Sequence, residues 1–329
     1  MKYKKLDNSE LTVSQICMGC MGFGDSKDGH HSWTLNEEES HKIIKSALEI
    51  GINFFDTAIA YQNGSSERYL GSAIKKYAKR EDVIIATKFL PRTSEDIAKG
   101  VTGQQYIRDM VNKSLKNLDT DYIDLYIYHM WDYNTPLYDI MDGLNQMVLE
   151  GKVKYLGISN CYAWQIAKAN ALAEKEGFSK FISIQGHYNL IFREEEREMI
   201  PFCKDQNISI TPYSPLAGGR LSKPVGETSK RFLEDQYAKS KYDLTKEQDN
   251  IIIERVLELA TKKNVTMTEI SLAWLLSKGA IPVMGVTKLS HLEGIINANN
   301  IQLTNKEISY LEEPYIPHKL VGILAENRG

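Results

Sequence analysis

Four side chains suited to acid–base chemistry end or follow apolar, strand-like runs of this sequence. Asp56 ends the first of these runs, and Tyr61 follows it by five positions. Lys88 ends the next run, and His129 ends the one after that. Because the carboxyl ends of neighbouring parallel strands meet at one mouth of a sheet or barrel, we expect these four side chains to share one site.

The chemistry of this set is that of a general acid with an adjusted pKa. A free tyrosine has a pKa of about 10 and is a poor acid near neutral pH. The Lys88 ammonium would favour the phenolate and lower the pKa of Tyr61, while the Asp56 carboxylate would hold the lysine charged and in place. His129 would donate a hydrogen bond to a substrate oxygen or relay a proton. Such an acid suits protonation of an oxygen that becomes an alkoxide, as in carbonyl reduction.

Each of these residues also has a purely structural interpretation. An aspartate at a strand end often caps a turn, a lone histidine is commonly a core residue, and this chain has 18 tyrosines. Lys88 is more informative, because a buried ammonium without a partner is costly. Their occurrence together, at three successive strand ends, is what predicts a site.

The elements that would position these residues alternate regularly between strand and helix. Apolar runs rich in Val, Ile, Tyr and Phe predict strands covered on both faces, at 16–21, 53–58, 83–89, 122–129, 155–160, 181–186, 208–213 and 280–286. Helices are predicted between them at 37–50, 65–79, 103–118, 136–150, 162–176 and 193–205. Eight such units predict an α/β fold, a (β/α)8 TIM barrel whose chemistry lies at the C-terminal strand ends.

Further elements are predicted at both ends of this barrel. Residues 3–7 and 11–15 indicate an N-terminal β-hairpin. A long, polar loop from Ala217 to Lys246 is typical of a binding loop, and helices at 247–262, 267–278 and about 304–313 follow it. We interpret the charged run from Arg193 to Glu198 as a solvated helix start. The prediction is one barrel domain over residues 1–329.

Composition excludes several other classes of function. The formal net charge is −3, which gives no electrostatic reason to expect nucleic acid or an anionic membrane as a partner. The first residues are polar and no uninterrupted apolar run approaches the length of a membrane helix, so a cytoplasmic protein is expected.

Cysteine and histidine placement predicts neither a disulfide framework nor a metal site. The chain has four scattered cysteines, and we interpret Cys17 and Cys20 as buried thiols of a core strand rather than as a redox pair. His30 and His31 lie in a polar loop without neighbouring carboxylate or cysteine ligands.

These motifs together resemble the aldo-keto reductase superfamily. Asp56-Thr57-Ala58-x-x-Tyr61, Lys88 and His129 are similar to its catalytic tetrad. The similarity continues along the chain through Gly157-Ile158-Ser159-Asn160, Ile184-Gln185-Gly186-His187-Tyr188-Asn189, Tyr213-Ser214-Pro215-Leu216 and Gly285-Val286-Thr287-Lys288. Several stretches are more similar to the aryl-alcohol-dehydrogenase-like bacterial and fungal branch, among them His129-Met130-Trp131-Asp132 and Leu311-Glu312-Glu313-Pro314-Tyr315.

The resemblance implies a role for individual residues. Tyr61 would be the proton donor, and Asp56, Lys88 and His129 would support it. Tyr213 would stack on the nicotinamide ring of NADPH. The implied cofactor-binding set is Met21, Gly22, Asp56, Ser159, Asn160, Gln185, Tyr213, Ser214, Leu216, Gly218, Arg220, Gly285, Thr287, Lys288 and His291. Within that set Ser159, Asn160 and Gln185 would hold the carboxamide, Ser214, Leu216 and Gly218 the pyrophosphate, and Thr287 and Lys288 the 2′-phosphate.

One position departs from the family pattern. Three and four residues after His291 the family often has Glu-Asn in contact with adenine, whereas this chain has Gly294 and Ile295. The adenine contacts are therefore expected to differ, and the strictness of the NADPH preference stays open.

The sequence thus predicts NADPH-dependent reduction of an aldehyde or ketone. A cofactor-binding regulatory subunit and a barrel that binds a sugar phosphate without redox chemistry are the alternatives. Four aromatic side chains are expected to line the mouth and to favour aryl or apolar aldehydes: Trp33, Phe89, Trp131 and Tyr133.

Overall fold

Short strands alternate with longer helices through most of the chain. The computed structural model describes residues 1–29, 31–228 and 230–327. Its strands are β1 Tyr3–Lys5, β2 Thr12–Ser14, β3 Cys17–Gly19, β4 Phe54–Asp56, β5 Ile84–Phe89, β6 Ile123–Tyr128, β7 Val153–Ser159, β8 Phe181–Gln185, β9 Ser209–Ile210 and β10 Val283–Gly285. The longer helices are α1 Glu37–Glu49, α2 Ser65–Tyr77, α4 Gly103–Leu118, α5 Leu137–Leu149, α6 Ala163–Glu176, α7 Met199–Gln206, α10 Lys246–Lys263, α11 Met267–Ser277, α12 Ser290–Ala298 and α13 Asn305–Glu312, and the shorter ones are α3 Ser94–Ala98, α8 Lys230–Glu234, α9 Gln236–Tyr242 and α14 Ile323–Glu326.

Eight parallel strands form the barrel. Their order is β10-β3-β4-β5-β6-β7-β8-β9, with neighbours paired in parallel throughout. The two outer strands of this order, β10 and β9, are joined by two backbone hydrogen bonds of 2.9 Å each. The Ile281 N–H donates to the Ile210 carbonyl, and the Val283 N–H donates to the Pro212 carbonyl. The β1–β2 hairpin pairs separately. The predicted (β/α)8 barrel with an N-terminal hairpin is confirmed.

Helix starts follow local capping chemistry. Asn36 caps α1 and forms a reciprocal capping box with Glu39, and Thr266 and Glu269 do the same for α11. Acidic residues in the first turn of α1 also suit the positive end of the helix dipole. These caps fix where each helix leaves its loop, and so fix the spacing between strand ends and helices.

Strand residues alternate between the barrel interior and the helix layer. Phe54, Ile84 and Leu125 lie in one buried cluster with the hairpin residues Leu6 and Val13, so the hairpin closes the N-terminal end of the barrel. The residues that follow them in sequence, such as Phe55, Ile85 and Tyr126, pack instead with the helices. This period of two is the geometry of a strand covered on both faces.

The same alternation directs the catalytic candidates into the barrel mouth. Asp56 lies two residues beyond Phe54 on β4, and Lys88 lies four beyond Ile84 on β5. His129 follows Ile127 by two positions and continues the interior face of β6. All three therefore point inward at the C-terminal strand ends.

Three expectations outside the barrel differ from the structure. The predicted loop 217–246 contains a 3-10 turn at Ala217–Ser222 and helices α8 and α9. Leu221 of the turn and Ala238 and Tyr242 of α9 lie in a second buried core. The sequence did not indicate α9, because the seven-residue helix buries only two apolar residues, Ala238 and Tyr242, in a polar stretch. The predicted helix 193–205 is divided into a 3-10 turn at Glu194–Glu196 and α7.

The charged run from Arg193 to Glu198 is not a solvated helix start, so that interpretation is wrong. Arg193 is ion-paired with Glu196 and Glu312 and lies over the Trp274 ring. Glu195 is buried, and burial raises its pKa to about 8, with the Glu194 charge adding to the effect. The start of the run packs inward because Arg193 has partners on α11 and α13, the Trp274 ring and the Glu312 carbonyl.

Cys17 and Cys20 are buried free thiols, as expected. Within the described ranges, every helix is too short or too polar to cross a membrane.

Candidate active site

The Lys88 ammonium is the centre of a buried cluster at the barrel mouth. Its Nζ donates to Oδ1 of Asp56 at 2.7 Å, to the Thr57 carbonyl at 2.6 Å and to the Tyr61 hydroxyl at 3.2 Å. Lys88 is fully buried and Asp56 is 2 % exposed. The three donor protons of the ammonium therefore all have acceptors, which is the condition for a stable buried charge.

Backbone pairing beyond the end of β4 brings Tyr61 to this lysine. The Thr57 N–H donates to the Ala86 carbonyl and the Ile59 N–H to the Lys88 carbonyl, so the segment after β4 still runs beside β5. A tight turn follows, in which the Tyr61 N–H donates to the Ala58 carbonyl. The phenol is thereby returned to the interior face of β5.

Burial has a larger effect on the Tyr61 pKa than the lysine has. The pKa of Tyr61 is raised by burial, and the opposing effect of the Lys88 charge does not reverse that direction. The expectation of a lowered pKa is therefore wrong for the protein without ligands. Burial also acts against the Lys88 charge, but the attraction of Asp56 and the contacts with Tyr61 prevail and raise the lysine pKa.

His129 stands edge-on to the catalytic phenol. The two ring centroids are 6.1 Å apart with an interplanar angle of 77°. Burial lowers the pKa of His129 to about 3, and the Lys88 ammonium adds to that effect. Its Nδ1 is buried without a hydrogen-bond partner. The imidazole is therefore neutral at physiological pH and can donate a single hydrogen bond.

The residues expected to hold a carboxamide lie together beside this cluster. Gln185 Nε2 donates to the second carboxylate oxygen of Asp56 at 2.9 Å. Ser159 Oγ donates to the Gln185 carbonyl at 2.8 Å, and Asn160 Nδ2 donates to the His129 carbonyl at 2.9 Å. Asn160 has a left-handed backbone (φ 48°), an arrangement that is concentrated at functional sites. The amides and the acid–base cluster therefore form one hydrogen-bonded network.

Tyr213 is the half-buried outer ring of an aromatic stack. Its hydroxyl donates to Asn160 Oδ1 at 3.0 Å, and its ring lies on the His187 ring with centroids 5.3 Å apart and an interplanar angle of 9°. His187 stacks in turn on Phe192 at 4.1 Å and shares a 2.6 Å hydrogen bond with the Tyr242 hydroxyl. Neither His187 nor Tyr242 could be predicted in this role from the sequence, because both look like ordinary core residues.

The loop after Tyr213 also contributes to the site. Ser214 and Gly218 have left-handed backbones, with φ of 54° and 65°, and Leu216 is half-buried next to them. Lys241 of α9, which the sequence did not indicate, donates to Ser214 Oγ at 3.2 Å while only 4 % exposed. Arg220 is ion-paired with Asp243.

The remaining cofactor candidates lie where β10 meets β3. Gly285 pairs with Gly19, which brings Met21 and Gly22 beside the loop after β10. A methyl group at Gly22 would come within 2.8 Å of Thr287 Cγ2. Lys288 is exposed, and α12 begins two residues later. The His291 N–H donates to the Lys288 carbonyl and its Nδ1 accepts from the Thr287 N–H at 3.4 Å.

Aromatic side chains flank the mouth, but not all those expected. Trp131 is half-buried and forms an edge-to-face pair with Trp164 at 6.1 Å, and Tyr133 is 47 % exposed. Phe89 is fully buried and stacked on Tyr126 and Tyr128, each at 4.8 Å, so its predicted place at the mouth is wrong. As the residue after Lys88 it faces the helix layer.

Metal ligands are not grouped in the described part of the chain. No set of three or more His, Cys, Asp or Glu side chains there could hold a metal ion. His30, considered above as a possible ligand, lies outside the described residues.

Comparison with known proteins agrees with this geometry. The aldo/keto reductase family profile matches residues 15–316. Versiconal hemiacetal acetate reductase from Aspergillus parasiticus is 38 % identical over 96 % of this chain and 98 % of its own length, and the protein named “Putative aryl-alcohol dehydrogenase” in Saccharomyces cerevisiae is 37 % identical over 97 % and 98 %. A thermostable aldo-keto reductase crystallised with the inhibitor epalrestat is 25 % identical and superposes with a TM-score of 0.76 over 95 % of this chain and all of its own. This chain belongs to the aldo/keto reductase family and is an oxidoreductase.

Proposed function

We propose that this protein reduces an aldehyde or ketone with NADPH and that Tyr61 is the general acid. The observation that carries the proposal is the buried chain of hydrogen bonds from Asp56 through Lys88 to the Tyr61 hydroxyl. It lies at the C-terminal mouth of a barrel whose family catalyses this class of reaction. Residues 1–329 would act as one barrel domain.

The acid–base cluster has a specific task in this reaction. Tyr61 keeps its proton through the neutral pH range, since burial raises its pKa. When it gives that proton to the carbonyl oxygen of the substrate, the Lys88 ammonium stabilises the phenolate left behind. The neutral His129 imidazole donates a hydrogen bond that orients the same oxygen. General acid catalysis of this kind contributes about 10²–10⁴-fold to the rate.

The residues at the mouth fit a nicotinamide cofactor. Asn160 and Gln185 offer amide groups next to the acid–base cluster, and the stacked Tyr213 ring offers a flat platform. Ser214, Leu216, Gly218 and the nearby Lys241 ammonium would hold a pyrophosphate. When bound there, NADPH supplies the hydride that is added to the carbonyl carbon. Together with the Tyr61 proton this converts a carbonyl group into an alcohol.

The preference for NADPH rests on the loop between β10 and α12. Thr287 and Lys288 stand at the N-terminal end of α12, where a 2′-phosphate would meet a cation and the helix dipole. Ile295, at the position that often contacts adenine in the family, is fully buried in the core. NADH, which lacks the 2′-phosphate, would therefore make few contacts with the loop between β10 and α12. This difference favours NADPH.

The substrate proposed is an aryl or apolar aldehyde. The pair formed by Trp131 and Trp164, with the exposed Tyr133 beside it in sequence, supports an apolar substrate. The name of the yeast relative, an aryl-alcohol dehydrogenase, agrees with this proposal.

A panel of aldehydes and ketones, assayed in parallel with NADPH and NADH, tests the proposal. We expect NADPH oxidation with aromatic and apolar aldehydes and slower oxidation of NADH. Binding of NADPH, followed by nicotinamide fluorescence, without oxidation by any member of the panel would favour a regulatory subunit instead. No fluorescence change with either nucleotide would overturn the cofactor assignment itself.

A further inference from the structure

The residue after the catalytic tyrosine has an unusual backbone. Gln62 has φ 45° and ψ 51°, a left-handed conformation that glycine adopts readily and that strains other residues. Its side chain is nevertheless 1 % exposed. A buried amide at a strained position is retained only if its contacts offset both the strain and the loss of hydration.

Those contacts all go to one segment. We define the mouth segment as the described residues 22–29 and 31–35, between β3 and α1. Gln62 Oε1 accepts from the His31 N–H at 2.9 Å, and Nε2 donates to the Asp25 carbonyl at 2.7 Å and the His31 carbonyl at 3.0 Å. The Thr34 hydroxyl lies 3.4 Å from the same nitrogen. One side chain thus binds the backbone of the mouth segment at two separate places.

The mouth segment is shaped around this side chain. Gly24 and Gly29 have φ of 137° and 134°, and a methyl group at either would come within 2.6 Å of a Gln62 atom. Ser65 completes the contact, because its hydroxyl accepts from the Asp25 N–H and donates to the Gln62 carbonyl. The segment therefore encloses Gln62 as a small polar core of its own.

Near its far end the mouth segment approaches two of the cofactor candidates, Gly22 at its own start and Thr287. The Trp33 ring reaches within 3.5 Å of a methyl position on Gly22, where Thr287 also lies. The Gln62 side chain binds both the backbone N–H and the backbone carbonyl of His31. The His31 ring in turn contacts the Trp33 ring, with centroids 4.9 Å apart. At the base, the segment is closed by backbone hydrogen bonds between residues 22–24 and Leu35. The position of Trp33 between these ends depends on Gln62.

We propose that Gln62 is a positioning residue that holds the mouth segment, and that Trp33, next to the cofactor candidates Gly22 and Thr287, forms a wall of the substrate pocket whose position sets the KM for the carbonyl substrate. The inference rests on the carbonyl-reductase function proposed above. The side chain of Gln62 does not act on proton transfer, because Tyr61 is held independently by the Lys88 ammonium and by its own N–H bond to Ala58.

The variant Gln62→Gly tests this directly, since glycine tolerates the left-handed backbone and the substitution removes the whole side chain with its amide. Asn63→Gly is the matched control. Asn63 has nearly the same backbone (φ 49°, ψ 40°), but its side chain is exposed and makes one hydrogen bond, to Asp28. Deuterium exchange of the peptide covering the mouth segment and steady-state kinetics with an aromatic aldehyde are measured for both.

We expect faster exchange in the mouth segment of Gln62→Gly and a KM raised roughly tenfold, with kcat changed by less than about twofold. Asn63→Gly removes one exposed hydrogen bond to the mouth segment, at Asp28, and should change exchange and KM much less than Gln62→Gly does. A fall in kcat at unchanged KM, or slow exchange as in the wild type, would overturn the proposal.

Trp33→Ala provides a second test that leaves the Gln62 amide intact. It should raise the KM for the aromatic aldehyde to a similar extent, without faster exchange around Gln62. An unchanged KM in Trp33→Ala would remove the mouth segment from the substrate wall, even if Gln62→Gly folds poorly. If the wild type reduces no carbonyl compound, the proposed function fails, while the exchange comparison still tests the tie between Gln62 and the mouth segment.

Discussion

The Lys88 ammonium lies 3.2 Å from the Tyr61 hydroxyl while it is ion-paired with Asp56 at 2.7 Å. The same buried charge therefore stabilises the folded state, by pairing with Asp56, and stabilises the Tyr61 phenolate during proton transfer. The two roles can be separated by substitutions on either side of the lysine, because Tyr61 needs the charge only when it loses its proton, whereas Asp56 needs it at all times.

Removal of the phenol hydroxyl should strongly reduce turnover and leave the protein otherwise intact. In Tyr61→Phe the proton donor is lost, so kcat should fall by about 10²–10⁴-fold. The NADPH dissociation constant, measured by fluorescence titration, and the urea midpoint should stay close to those of the wild type, since Lys88 keeps Asp56 and Thr57 as partners. Wild-type activity in this variant would exclude Tyr61 as the acid.

Removal of the lysine should affect stability as well as activity. Lys88→Met leaves the Asp56 carboxylate buried without its counter-charge, which costs about 3–5 kcal/mol in the free energy of unfolding. The double variant Asp56→Asn/Lys88→Met, which removes both charges, should recover much of that stability in urea unfolding but none of the activity. Equal losses in the single and double variants would argue against the ion pair as the cause.

The pH profile of reduction should be flat across the neutral range. Activity needs the protonated Tyr61, whose pKa is raised, and is lost only as pH rises above that value. His129 has a pKa of about 3, so it does not titrate between about pH 5 and 9. Measured kcat/KM should therefore show no inflection near pH 6.5. An inflection there that disappears in His129→Asn would mean that the imidazole is charged in the free enzyme.

Glu195 should make the protein less stable as pH rises. In the folded protein burial holds its pKa near 8, whereas in the unfolded chain it ionises above about 4.5. The unfolded state is therefore favoured progressively from pH 4.5 to 8, by on the order of 1 kcal/mol per pH unit. Glu195→Gln should unfold a few degrees higher than the wild type at pH 8, and the difference should vanish at pH 4.5.

The neighbouring Glu196 is the control with the opposite sign. Its pKa is lowered: hydrogen bonds from Arg193 and Tyr188 outweigh the effect of burial. Glu196→Gln should therefore lower the unfolding temperature at pH 8. A similar response of both variants would show that charge at this turn, rather than the burial of Glu195, controls stability.

The strand alternation explains which site residues could be predicted from the sequence. Asp56, Lys88 and His129 each end an apolar run on its interior face, so their convergence follows from period two and parallel pairing. The error over Phe89 came from ignoring that same alternation. Gln62 could not be predicted, because its role depends on a left-handed backbone and on two glycines more than thirty residues earlier in the chain.

The elements outside the barrel were harder to predict for a different reason. Helices α8 and α9 lie in a polar stretch, from which Ala238 and Tyr242 of α9 reach the second core. The Arg193 side chain is held by Glu312 of α13, far along the chain, and the carboxyl group of Glu195 is buried close to Gly186. Local patterns give no information about such partners.

The choice between NADPH and NADH should depend on Lys288. This exposed side chain, just before α12, would pair with a 2′-phosphate that NADH lacks. Lys288→Ala should raise the NADPH dissociation constant about tenfold or more and leave that of NADH unchanged, because a charge-assisted contact contributes about 1.5–3 kcal/mol.

Lys306→Ala, at an exposed lysine on α13, controls for the change in net charge. Added salt should weaken NADPH binding to the wild type more than to Lys288→Ala, since it screens this contact. Equal weakening of both nucleotides in Lys288→Ala would place this lysine at the part of the cofactor that they share.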